Sequence, residues 1–60
     1  MKKIYAVIPA HNEEKNISEV IRKTKKYVDQ VVLVDDGSRD KTSELGAKSG
    51  AMVLKHIVNL

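Results

Sequence analysis

The sequence predicts an α/β fold in the order β-α-β-α-β, one half of a doubly wound, mostly parallel sheet. Short unbroken apolar runs at Ile4–Ile8, at Val31–Val34 and from Ala51 onward suit strands covered on both faces, as in a parallel sheet. A 3.6-residue apolar stripe separates the first two runs, and a shorter helical stretch separates the last two. The connections are only a few residues long. Right-handed crossovers then place three parallel strands side by side in the order 3-2-1.

The first strand is expected to stop at Pro9, which has no N–H to give to a ladder. Asn12 is then placed to cap a helix, with Glu13 and Glu14 in its first turn, where the positive dipole end favours carboxylates. Ile17, Val20, Ile21, Thr24, Tyr27 and Val28 form its apolar stripe. Glu19 and Lys23 stand four apart in the favourable order. The second strand, Val31 to Val34, runs into Asp35-Asp36-Gly37-Ser38. Ser38 or Asp40 can cap a second helix over residues 41–48, whose apolar face is thin: Leu45, Ala47 and little else. Gly50 is its expected stop. The third strand opens at Ala51 and extends as far as Ile57.

At 60 residues the chain sits at the lower edge of independent folding, where about 60% of the unfolded surface is buried. It has no cysteine, which excludes disulfides and thiolate zinc sites and fits a reducing compartment. Only two aromatics occur, Tyr5 and Tyr27, too few for a base-stacking nucleic-acid surface. The net charge is +3. Its densest cluster, Arg22, Lys23, Lys25 and Lys26, falls within the first helical pattern and reads as a solvated face, so no nucleic-acid partner is expected. No apolar run approaches the roughly 20 residues that cross a bilayer. The basic start followed by Ile4–Ile8 is too short for a signal-peptide core of about 7–15 residues. The expected location is cytoplasmic, either free or as the cytoplasmic part of a larger protein.

In open α/β sheets ligands bind outside the carboxyl ends of the strands. Two loops carry chemistry there: Pro9-Ala10-His11-Asn12-Glu13-Glu14 and Asp35-Asp36-Gly37-Ser38-Arg39-Asp40. Each residue also has a plainer use. Asn12 and Ser38 are good caps, Gly37 suits a turn, and a loop histidine such as His11 is commonly just solvated. The adjacent carboxylates are less easily set aside. Strand and loop geometry keep Asp35 and Asp36 from pointing the same way, so one is expected to take loop N–H groups. The other is expected to face the crevice, where a carboxylate accepts from a base N–H or ribose hydroxyls. No G-x-G-x-x-G follows the first strand, which argues against a standard NAD or FAD site, and no Walker A pattern occurs. His11, Glu13, Asp35 and Asp36 lack the spacing of a zinc or calcium site, so this chain is expected to hold no metal. Nothing places a serine on a nucleophile elbow.

Val7-Ile8-Pro9-Ala10-His11-Asn12-Glu13-Glu14, a helix, and then Val31 to Thr42 as VVLVDDGSRDKT closely resemble family-2 glycosyltransferases. The likeness is to the branch containing dolichol-phosphate mannosyltransferases and polyprenyl-phosphate sugar transferases. The two motifs at this separation are specific, and the resemblance covers essentially the whole chain but only the first quarter or so of such an enzyme. It implies a Rossmann-like GT-A sheet and transfer of a sugar from a GDP- or UDP-sugar, with a polyprenyl or dolichyl phosphate among the possible acceptors. By motif match it implies that Pro9, His11 and Glu13 line the base and ribose pocket. Val34 would touch the base through its backbone, and Asp36 would hydrogen-bond it, with Asn12, Asp35, Gly37 and Ser38 supporting the loops. Relatives often have Tyr where His11 stands. The family's Mg²⁺ or Mn²⁺ is held by a later D-x-D-type motif that this chain lacks, so the chain by itself is expected to be inactive.

Two other readings accompany this one. A response-regulator-like receiver shares the acidic pair, but that pair belongs after a first strand and a phospho-acceptor Asp should end the third. A non-catalytic module would associate with itself through the open first strand, Ile4–Ile8, giving a dimer or strand exchange.

Overall fold

The computed structural model describes residues 2–56. The elements run β1 (Tyr5–Ala10), α1 (Ile17–Thr24), β2 (Gln30–Asp36), α2 (Thr42–Lys48) and β3 (Met52–His56). All strand pairs are parallel, and β2 lies between β1 and β3. This is the adjacency of the expected 3-2-1 order counted from the opposite edge.

Register sorts the strand residues onto two faces. Ala6, Ile8 and Ala10 lie beside Val31, Leu33 and Asp35, with Val53 and Lys55 beyond them. This face carries the core: Ala10, Ile17, Ile21, Val31 and Leu33 are buried, and Ile8, Val28, Leu45, Ala51 and Val53 pack against them. The opposite face carries Tyr5, Val7 and Pro9, then Val32, Val34 and Asp36, then Met52, Leu54 and His56. Tyr5, Val7, Met52 and Leu54 are each more than half exposed. The expected cover on both faces is therefore not found among the described residues. Two right-handed crossovers stepping in one direction put both helices on one side of the sheet.

Several local expectations change. β1 continues through Pro9 and Ala10, which lie beside Val34 and Asp35. Proline is tolerated because, among the described residues, β1 is an edge strand with β2 as its one neighbour in the sheet. Helix α1 starts at Ile17 rather than just after Asn12, because residues 13–16 form a turn in which Asn16 N and Ile17 N donate to Glu13 O. It ends at Thr24: Lys25 N still donates to Ile21 O, but Lys26 N and Tyr27 N turn back onto Lys23 O and Thr24 O. Tyr27 is consequently off the stripe and strongly exposed. The Glu19–Lys23 pair forms at 2.9 Å.

The buried face of α2 is Thr42 and Gly46, while Ala47 is exposed. A Cβ at Gly46 would collide with Leu33 Cδ2, so this glycine is what lets α2 lie close on the sheet. Gly50, at φ +98°, follows the end of α2 as expected. The third strand is described as far as His56, and Ile57 lies outside the described residues. No helix of the described residues is long and apolar enough to cross a membrane.

Candidate functional site

Parallel strands bring the ends of β1, β2 and β3 to one edge, and the loops after β1 and β2 meet there. They do not merely face each other; a row of hydrogen bonds joins them. Asn12 N donates to Ser38 Oγ at 2.8 Å, and Arg39 N donates to Asn12 Oδ1 at 2.9 Å. Glu13 N donates to Thr42 Oγ1 at 2.8 Å, and Glu14 N to Asp40 Oδ2 at 3.2 Å. Asn12, expected as a helix cap, is instead in the left-handed region at φ 52°, where Asn is among the residues best tolerated. Its side chain satisfies a donor of the other loop. Ser38 likewise does not cap α2. The N-cap position of α2 is Lys41, without a side-chain cap, and Asp40 just before it accepts at Oδ1 from Thr42 N at 3.0 Å and from the Thr42 hydroxyl.

Asp35 and Asp36 diverge because neighbouring strand residues point to opposite faces. Asp35 is buried on the helix side. It accepts Ser38 N at 2.9 Å and the Ser43 hydroxyl, closing the loop over Gly37, which sits at φ 69°. Burial pushes its carboxyl up, but the hydrogen bonds from Ser38 and Ser43 and the charge of Lys55 outweigh it. The net shift is below the ordinary 3.8. Asp40 is also held low, chiefly by its hydrogen bond with Thr42.

Asp36 lies on the open face with its side chain 61% exposed. Two histidines hold it. His11 Nδ1 lies 2.7 Å from the Asp36 carbonyl, and His56 Nδ1 lies 2.9 Å from Asp36 Oδ1. Both acceptors lack hydrogens, so each ring carries its proton on Nδ1. His11 Nε2 is then free to accept from Asn12 Nδ2 at 3.3 Å. With both ring nitrogens engaged, the face of His11 is the part left for a ligand.

An open cleft of about 750 Å³ at this edge is lined by His11, Asn12, Asp36, Arg39, Lys55 and His56, among others. Pro9 and Glu13 border a smaller hollow of about 170 Å³ with Ile17 and Val20. Val34 is half-buried on the open face between Pro9 and Leu54. Of the five motif residues, His11 and Asp36 thus share the main cleft, while Pro9 and Glu13 lie against the smaller hollow. Sequence reasoning did not include Lys55 and His56 in the site. The parallel register that sets them beside Asp35 and Asp36 is the signal that locates them. Among the described residues, no group of three or more His, Asp or Glu side chains could hold a metal ion.

Comparison with known proteins places this geometry. The family model for glycosyl transferase family 2 matches residues 5–55. An uncharacterized protein of Methanocaldococcus jannaschii is 51% identical over 57 residues, covering 93% of this chain and 24% of the relative. The undecaprenyl-phosphate 4-deoxy-4-formamido-L-arabinose transferase of Salmonella paratyphi B is 33% identical, covering 100% of this chain and 20% of the relative. Glucosyl-3-phosphoglycerate synthase from Mycobacterium tuberculosis, solved with Mg²⁺ and UDP, superposes with a TM-score of 0.80 at 36% identity. That match covers 90% of this chain and 21% of the other. The same enzyme has been solved with Mn²⁺, UDP and phosphoglyceric acid. The chain therefore spans about a quarter or less of the length of these relatives. The receiver reading gives way here, since the acidic pair ends the second strand and Lys55-His56 ends the third. With its motifs, its sheet and the family match in agreement, the chain belongs to glycosyl transferase family 2.

Proposed function

We propose that this chain forms the donor-nucleotide part of a glycosyltransferase that moves a sugar from a nucleotide-sugar to an acceptor. The observation that carries the reading is the split of the acidic pair. Asp35 is consumed in closing the loop, while Asp36 stands exposed at the mouth of the cleft. A carboxylate there accepts a ring N–H of uracil or guanine, and the face of His11 offers a surface for the base. The ribose then extends toward Glu13 and Pro9, and the Val34 backbone flanks the base. The UDP complexes of the mycobacterial relative support a nucleoside diphosphate as the ligand.

The family resemblance assigns the diphosphate and its divalent metal to a later D-x-D-type motif, and the Mg²⁺ and Mn²⁺ complexes of the mycobacterial relative support such a metal. Bound there, Mg²⁺ or Mn²⁺ would neutralise the departing diphosphate. The Salmonella relative supports a polyprenyl phosphate as acceptor, which would put the transfer at the cytoplasmic face of a membrane. The test is titration of the chain with UDP and GDP while following the amide resonances of Glu13 and Asp36. Shifts at millimolar ligand are expected, and their absence would remove the nucleotide-binding claim for this chain.

A second reading, self-association, is favoured by the uncovered face. Tyr5 and Val7 on β1 and Met52 and Leu54 on β3 are exposed on the same face, on either side of Val32 and Val34 of β2. Apolar surface of this kind marks a contact face.

A further inference from the structure

We propose that His56 is a positioning residue for the donor base. It fixes one oxygen of Asp36 so that the other meets a base with a single N–H donor, favouring uracil over guanine. The inference rests on the reading that Asp36 receives the base.

Asp36 and His56 are the last residues of β2 and β3 and lie side by side in the parallel register, on the open face. Their contact, Nδ1 to Oδ1 at 2.9 Å, therefore follows from strand pairing rather than from a chance loop approach. An aspartate this exposed would otherwise turn freely about its side-chain torsions. The bond from β3 orients the carboxylate, while the His11 bond from the β1 loop holds the Asp36 carbonyl. The residue is thus fixed on its side chain from one neighbouring strand and on its main chain from the other.

The chemical consequence concerns acceptor count. Guanine presents N1–H and an exocyclic N–H side by side, a pair that matches both oxygens of a free carboxylate. Uracil presents one N–H, at N3, between two carbonyls. With Oδ1 engaged by His56, Oδ2 is the unshared acceptor, which suits the single donor.

The pair is well exposed on both sides, and exposed pairs contribute little to fold stability. Substitution at His56 should therefore leave the fold intact, which circular dichroism and amide dispersion would verify. The experiment measures UDP and GDP affinities of the chain by NMR titration for wild type, His56→Ala, His56→Asn, Asp36→Asn and the double variant His56→Ala/Asp36→Asn. Wild type should prefer UDP. His56→Ala should weaken UDP binding about three- to tenfold, the loss expected for one hydrogen bond of ordinary net strength, and narrow the UDP over GDP preference. His56→Asn places an amide N–H near the position of Nδ1 and should restore both. In the Asp36→Asn background, loss of His56 should have no further effect.

If Asp36→Asn weakens UDP while His56→Ala leaves both affinity and preference unchanged, the positioning role is overturned and the nucleotide reading stands. Should wild type bind neither nucleotide, the reading of Asp36 fails and this inference fails with it.

Discussion

Asp35 and Gly46 show how single positions set the site and its support. Asp35 is buried with its acceptors filled by Ser38 N–H and the Ser43 hydroxyl. Asp35→Ala leaves both donors without an acceptor and is expected to cost about 1–3 kcal/mol, measured by urea unfolding. Because its folded-state carboxyl is depressed below the ordinary 3.8, its contribution is present above that value and is lost as pH falls through the folded-state value. Acid unfolding of wild type should steepen below about pH 4, and Asp35→Asn should flatten that limb. An unchanged acid limb would mean that other carboxylates govern it. At Gly46, two effects oppose. Alanine is the better helix former by about 1 kcal/mol, but its Cβ would meet Leu33 Cδ2, and overpacking a filled core costs about 1–3 kcal/mol. Leu33 is fully buried and has little room to swing aside, so the clash should win and Gly46→Ala should lower the thermal midpoint. A higher midpoint would show that Leu33 moves cheaply.

At the scale of elements, the two site loops behave as one unit joined through Asn12. Asn12→Ala removes the acceptor for Arg39 N and also forces a Cβ residue without a local hydrogen bond into φ 52°. Together these should cost about 1–3 kcal/mol and speed amide exchange at Arg39. Asn12→Gly keeps the backbone and loses only the bond, so its effect should be the smaller. Equal losses for the two would assign the effect to the side chain alone. The sequence reading missed this because capping and bridging use the same residue types. Asn, Ser and Asp at a strand-to-helix junction fit either, and the spacing between two loops about 25 residues apart is a tertiary quantity. The strand ends carry the same lesson. Pro9, lacking an N–H, predicts the end of β1, yet an edge strand accommodates it beside Val34.

At the scale of the molecule, both helices lie on one face, and among the described residues nothing covers the other. The exposed row from Tyr5 and Val7 to Met52 and Leu54 should drive association of the isolated chain, seen by sedimentation as a concentration-dependent rise above monomer mass. Val7→Lys, placing a charge in that row, should shift the equilibrium back toward monomer. A stably folded monomer of wild type at high concentration would refute the association.

The sequence by itself determined the order of elements, the parallel sheet and the family, because apolar period, turn residues and two spaced motifs are local and additive along the chain. It also separated the roles of Asp35 and Asp36, since the period-2 geometry of a strand requires that neighbours diverge. Only the tertiary structure decided that the helices share one face, that Asn12 ties two loops together, that Gly46 admits α2 onto Leu33, and that His56 stands on the Asp36 carboxylate. Each of these depends on register or crossover direction between segments remote in sequence, and no local pattern encodes either one.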